Sequence, residues 1–199
     1  GRGGISFIRM SGPLSKKIAK EMCGELAEPW RFKKCNITSN NGSLIDVGMV
    51  VFFKSPYSYT GEDIVEFHCH GNPMIVNLII ESALVLGAVV AEPGEFTKKA
   101  FLNDKIDLAQ AESVADLINA QSESAIIAAN SSLSGNFSKQ VNGILDELTE
   151  ARVFVEAKID FPDEDIDKTH MENLKKRLIK LLGVVSGLLT SVQDGVKLR

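Results

Sequence analysis

Residues 58–71 read Ser58-Tyr59-Thr60-Gly61-Glu62-Asp63-Ile64-Val65-Glu66-Phe67-His68-Cys69-His70-Gly71, a turn that runs into a strand. From Ile64 onward the side chains alternate. Glu66, His68 and His70 fall on one face, and Val65, Phe67 and Cys69 on the other. Such a strand belongs in a sheet that covers a core with its apolar side and lines a site with its polar side. Before it the chain turns around Gly61. After it Asn72 suits a helix N-cap and Pro73 the first helical position. A polar face flanked by two loops, with a helix following at once, predicts an α/β unit built around this strand.

Upstream, residues 5–10 form a short apolar strand carrying Arg9, and Ser11-Gly12-Pro13 leads into a helix whose face is Leu14, Ile18 and Met22, with Pro13 suited to its first position. Residues 28–31 loop around Pro29. A strand over 35–38, the turn Asn40-Asn41-Gly42 and a strand over 44–53 form an antiparallel pair. Downstream, the helix over 74–86 is apolar nearly all round and closes at Gly87, so it packs on the sheet. The last strand is expected over 88–92, before the turn at Pro93-Gly94. The expectation for this half is a mixed sheet with helices.

From Phe96 onward Gly and Pro thin out, and apolar residues recur at helical spacing. Asp107-Leu108-Ala109-Gln110 is a capping-box pattern, with Leu108, Ala111, Ala115 and Ile118 on one face of the helix behind it. Residues 122–135 are rich in Ala and Ser, which suits close helix packing. Val141, Ile144, Leu148, Val155 and Ile159 continue a long helix until Phe161-Pro162. Asp163-Glu164-Asp165 reads as an exposed acidic loop, and Thr169 with Glu172 as a second capping box before a stripe from Leu174 to Val192. The fold class is therefore α+β: a mixed-sheet α/β domain followed by an all-α domain.

At 199 residues, 44% hydrophobic and 24% charged, the chain holds one or two ordinary cores. Its net charge of −4 leaves room for a local basic patch but not for a surface that wraps nucleic acid. Cys23, Cys35 and Cys69 have neither paired nor metal-ligand spacing, which fits a reducing compartment, by default the cytoplasm. No apolar run is long enough to span a bilayer. The chain opens on Gly1-Arg2-Gly3-Gly4 without an initiator Met, so a native start upstream is expected.

Glu66, His68 and His70 share a face, yet alternate residues of one strand stand about 6.5–7 Å apart, wide for a single zinc. They are either a partial ligand set or, as favoured here, polar groups facing a ligand or an interface. No metal site is expected. Gly1-Arg2-Gly3-Gly4 leads into a strand rather than a helix, so it is either a ligand loop or a place where backbone passes close to a neighbour. No Gly-x-x-x-x-Gly-Lys-Ser/Thr occurs in the chain, which excludes a P-loop NTPase. Lys98 and Lys99 read as a solvated face, whereas Lys105 sits in a constrained Asn-Asp-Lys turn.

Gly-Arg-Gly-Gly-Ile, Ser-Tyr-Thr-Gly-Glu-Asp, His-Cys-His-Gly, Pro-Gly-Glu-Phe-Thr-Lys, Ala-Phe-Leu-Asn, Asp-Leu-Ala-Gln-Ala-Glu and Ile-Asp-Phe-Pro-Asp-Glu-Asp-Ile, in this order, resemble the TrmE/MnmE family of tRNA-modification GTPases along essentially the whole chain. The resemblance implies an aminomethyltransferase-like N-terminal domain over 1–105 that binds tetrahydrofolate and dimerises. The first part of a helical domain follows over 106–199, ending before an inserted GTPase domain that would hold GTP, Mg2+ and K+. It further implies a one-carbon folate (5-formyl or 5,10-methylene form), held by Arg9, Glu66 and Lys105, with no catalytic residue in this stretch. The partners implied are a second copy, an FAD-dependent protein (MnmG/GidA) and tRNA. The reaction implied adds a carboxymethylaminomethyl-type group to wobble uridine. One departure is Asn72, where the family commonly has a second Gly. A purely structural dimerisation module is the alternative.

Overall fold

The computed structural model describes residues 2–160 and 168–196, with side chains through 160 and over 170–190. The chain divides into two compact units, Gly1–Ile106 and Asp107–Arg199.

In the first unit the alternating and helical patterns form β1 (Gly3–Ser11), α1 (Ser15–Cys23), β2 (Lys33–Thr38), β3 (Leu44–Phe53), β4 (Ile64–Gly71), α2 (Pro73–Val85) and α3 (Glu95–Leu102). The sheet order is β1-β4-β3-β2, and all three strand pairs are antiparallel. β4 lies inside the sheet, pairing Phe67 with Ile8 and with Val50. Its apolar face, Val65, Phe67 and Cys69, is buried with Ile18 and Met22 of α1, Ile37 of β2 and Ile79 of α2. Phe67, Val65, Ile37 and Ile79 are completely buried, each contributing about 1.5–3 kcal/mol of transfer free energy to this single-sided core. The other face carries Arg9, Glu66, His68 and His70 among Ile5, Phe7 and Met49, all three of them exposed.

The α+β class is as expected, with two differences inside it. The sheet is wholly antiparallel rather than mixed, because residues 88–92 form no strand. Val89 is 89% exposed, and a cavity lined by both segments separates residues 87–91 from β1, so this stretch has no ladder partner. Pro93 would end any ladder in any case. The second difference is that α1 starts at Ser15, not Pro13: the Ser15 hydroxyl donates to the carbonyls of Gly12 (2.8 Å) and Asp63 (2.9 Å), which holds Pro13 in the turn.

Asn72 caps α2, its Oδ1 accepting from the Met74 N–H at 2.9 Å, and Gly87 closes the helix with its N–H on the Leu84 carbonyl at 3.0 Å. Close backbone passage is required at Gly71 rather than at the chain-start glycines, since a Cβ on Gly3 would meet nothing nearer than 3.9 Å and one on Gly4 nothing within 4 Å. A Cβ on Gly71 would collide with the Gly3 carbonyl.

The second unit is α4 (Leu108–Asn119), α5 (Glu123–Leu133), α6 (Asn136–Asp160) and α7 (Lys168–Val196), each packed on the next. The capping box is present: Asp107 Oδ1 accepts from the Gln110 N–H at 2.9 Å, and Gln110 Oε1 from the Asp107 N–H at 3.0 Å. Arg177 of α7 bridges Glu147 and Glu150 of α6 at 2.7 and 2.6 Å. The acidic loop at 163–165 lies outside the described residues, and so does the side chain of Thr169 on which the second capping box depends. Among the described residues no helix is long and apolar enough to cross a membrane.

Candidate functional site

Arg9 and Glu66 face each other across β1 and β4. The Arg9 Nε donates to Glu66 Oε1 at 2.6 Å, and the Glu66 side chain is only 12% exposed. The second Glu66 oxygen lies 3.3 Å from His68 Nε2, so strand alternation puts an imidazole beside the carboxylate. Phe7, Tyr59 and Phe96 surround the Arg9 guanidinium, their ring centres 5.7, 6.0 and 5.9 Å away. Cation–π attraction thus holds the arginine over the sheet. Phe32 packs edge-on to His68 at 5.1 Å and extends the aromatic surface.

Lys105, in the turn after α3, packs against the loop that carries Tyr59. Its ammonium donates to the Pro56 carbonyl at 3.0 Å, and its stem lies against Gly61, where a Cβ would sit 3.3 Å from Lys105 Cδ. Gly61 has φ +78, so glycine here serves both the turn and the lysine's approach. The structure thus joins Arg9 to Glu66 directly and sets Lys105, from the turn after α3, against the neighbouring loop.

That loop is tied down by polar contacts. Ser11 Oγ donates to Glu62 Oε2 at 2.7 Å, Lys99 Nζ reaches the same oxygen at 3.0 Å, and Asn103 Nδ2 donates to the Thr60 carbonyl at 2.7 Å. Burial pushes the Glu62 carboxyl up, but the Ser11 and Lys99 contacts outweigh it and hold the group below the usual range. Lys99 is therefore a structural partner and not merely part of a solvated face.

At the end of the same strands lies a pair that the sequence reading missed. Asp46 of β3, its side chain 9% exposed, accepts from the His70 backbone N–H at 2.8 Å and lies 2.8 Å from His70 Nδ1. Burial opposes ionisation of Asp46, but the hydrogen bonds from His70 and Val47 prevail and lower its pKa. The available signal was a lone carboxylate inside an otherwise apolar strand. Phe7 was equally legible, two residues before Arg9 and so on its face.

Beside the pair, a cavity of about 470 Å³ opens between β1 and the segment after α2, lined by Arg9, Ser11, Phe96 and Lys99 over an apolar wall that includes Met10 and Leu84. Neither Glu66 nor Lys105 lines it. The groups nearest to recognition chemistry are thus on the open sheet face: a mostly buried carboxylate that can accept two adjacent N–H donors, a guanidinium, and rings that suit a flat heterocycle.

The family model described as the GTP-binding protein TrmE N-terminus matches residues 1–105, and that of the MnmE helical domain matches residues 108–199. A tRNA modification GTPase MnmE of Francisella tularensis subsp. holarctica (strain OSU18) is 48% identical over 196 residues, covering 98% of this chain and 43% of the relative. That of Neisseria meningitidis serogroup B is 45% identical over 199 residues, covering 100% of this chain and 44% of the relative. The chain thus spans less than half the length of these curated relatives. With both units matched and every quoted motif in order, the chain belongs to the TrmE/MnmE family.

Proposed function

We propose that this chain is the tetrahydrofolate-binding and dimerising part, over 1–105, and the first part of the helical domain, over 106–199, of a cytoplasmic tRNA-modification GTPase. The observation that carries the folate reading is the Arg9–Glu66 pair, largely withdrawn from solvent and ringed by Phe7, Tyr59 and Phe96.

These residues fit the ligand. A pterin presents an exocyclic amino group beside a ring N–H, a donor pair that one carboxylate accepts in bidentate fashion, and Glu66 is the carboxylate of this face. Arg9 would turn from Glu66 to ligand carbonyl or carboxylate oxygens while staying over its aromatic rings. Lys105 would add a mobile positive charge from the turn after α3. When bound, a 5-formyl or 5,10-methylene tetrahydrofolate supplies a one-carbon unit; this chain's residues bind and orient it. The GTP, Mg2+ and K+ sites belong to a further domain of the family. Modification of tRNA wobble uridine together with an FAD-dependent partner rests on family membership. The exposed Ile5, Phe7 and Met49 on the open sheet face suit a second copy.

A second reading has its own observation: the 2.6 Å bond between Arg9 and Glu66 satisfies both charges without a ligand, as a structural dimerisation module would need. Calorimetric titration with 5-formyltetrahydrofolate separates the two. Glu66→Gln keeps the size but turns one acceptor into a donor, and should weaken binding by about 1.5–3 kcal/mol with the fold intact. Equal affinity in the variant would place the ligand elsewhere. No binding by the unaltered protein would favour the structural module.

A further inference from the structure

We propose that Trp30 is a stacking platform for an unpaired base of RNA, with Arg31, Lys33, Lys34 and Lys54 around it to take the flanking phosphates. Trp30, the chain's one tryptophan, is 61% exposed. It stands third in the turn Glu28-Pro29-Trp30-Arg31, which is closed by the Arg31 N–H on the Glu28 carbonyl at 3.2 Å, and its φ is +67. Glycine usually fills that place, because a bulky residue is strained there. The core does not call for the exception, since most of the indole lies in solvent. The ring is nevertheless fixed. The Trp30 backbone N–H donates to the Phe52 carbonyl at 2.8 Å, and the indole stands nearly perpendicular to the Phe53 ring with centres 4.7 Å apart. A held but open indole lets a base stack at small entropic cost. Phe32, two residues on, adds a second exposed ring, itself packed edge-on to His68.

The charge at this corner has the sign that a nucleic acid requires. Residues 1–54 hold nine Lys and Arg against four Asp and Glu, whereas residues 55–199 hold thirteen against twenty-two. Lys54 directly follows Phe53, and Lys33 and Lys34 open the edge strand β2, alternating between its two sides. Lys16 of α1 reaches the same region, its Nζ 4.9 Å from the centre of the Phe52 ring. These lysines and Arg31 are all exposed, and none makes an ion pair among the described residues. Nearby acids are engaged: Glu25 pairs with Lys20 at 2.7 Å, and Asp63 accepts from the Ser55 N–H at 2.9 Å. Cations alone would serve an acidic peptide as well. The open indole among them is what selects a nucleotide, whose base stacks while its phosphates meet the lysines. This role rests on the chain's proposed part in tRNA modification and adds the surface that meets the RNA.

Because the chain has a single tryptophan, its emission reports the event directly. Titrating the full chain with a single-stranded oligouridylate of about ten nucleotides should quench that emission saturably, and a blunt RNA duplex should not. Anisotropy of the labelled oligonucleotide should show Trp30→Gly, which suits the left-handed turn and keeps the fold, binding about tenfold more weakly, and Trp30→Phe retaining most of the affinity. Lys33→Ala combined with Lys34→Ala should reduce the slope of log affinity against log salt by about 1.4, whereas Lys175→Ala combined with Lys176→Ala on α7 should leave it unchanged. No saturable quenching of the unaltered chain, equal affinity in Trp30→Gly, or an equal effect of the α7 pair would overturn the proposal. So would emission that shifts on dilution without RNA, which assigns the indole to contact with a second copy. Equal affinity in Trp30→Gly would leave RNA binding standing and remove only the platform, and the folate titration is read without RNA.

Discussion

At the scale of single residues, Asp46 and Glu62 couple the site to pH. Both are held ionised below the ordinary carboxylate range, Asp46 against burial by His70 and Val47, Glu62 against burial by Ser11 and Lys99. A depressed folded pKa contributes stability that is present above the unfolded value, about 4, and is lost as pH falls through the folded one. Urea unfolding should therefore find Asp46→Asn less stable than the unaltered protein by about 1–2 kcal/mol at pH 6, with the gap narrowing towards pH 3. A pH-independent gap would assign the loss to packing. Gly71 makes a steric prediction on the same sheet. The Gly3 carbonyl fills the place that a Cβ would take, so Gly71→Ala should cost about 1–3 kcal/mol in urea unfolding, because the neighbour is backbone and cannot rotate away.

At the scale of elements, α2 and α4 show how much of a helix start is written locally. Asn72 donates nothing to the core; its part is one hydrogen bond to the Met74 N–H. Asn72→Ala should cost about 1 kcal/mol, whereas Asn72→Gly should cost only a few tenths. Equal losses in thermal melts would mean that the side chain acts through something other than the cap. The reciprocal pair at α4 is stronger in kind, since the Ser138 hydroxyl first, and then the Gln110 N–H, lower the Asp107 pKa. Asp107→Ala should therefore lower the melting of the helical unit and leave the sheet unit as it was. The segment 88–92 carries the opposite lesson. Its residues have strand propensity, but Val89 and Val90 bury neither face, and a strand without a partner is not a strand.

At the scale of the whole molecule, the buried cluster built on Phe67, Ile37 and Ile79 lies entirely within Gly1–Ile106. A fragment comprising residues 1–106 should keep its antiparallel-sheet circular dichroism and a cooperative melt. Residues 107–199 alone should melt earlier, because α6 and α7 leave Leu145, Val153, Ile159, Ile179 and Leu182 exposed. A fragment 1–106 without a cooperative transition would show that the sheet unit depends on the helices. Where the chain carries no P-loop, GTP binding to it should be undetectable by calorimetry.

The sequence by itself determined what depends on neighbours along the chain. Period-two alternation from Ile64 to His70 separated the core face of β4 from its polar face, the Asn72-Pro73 and Asp107-Gln110 patterns set helix starts, and ordered motifs identified the family. Arg9, Glu66 and Lys105 were named only through the resemblance to that family. What only the tertiary structure decided depends on register between strands and on helix-to-sheet placement, which no local pattern encodes. Pairing of β1 with β4 put Arg9 against Glu66, and pairing of β3 with β4 brought Asp46 to His70. Folding of α3 back to the Gly61 turn gave Lys99 to Glu62. Packing of α1 beside β2 brought Thr38 to the Met22 carbonyl and Lys33 to that of Glu25. The missing fifth strand follows from the same cause: whether a stretch with strand propensity becomes a strand is settled by the edge it meets, and residues 87–91 meet a cavity.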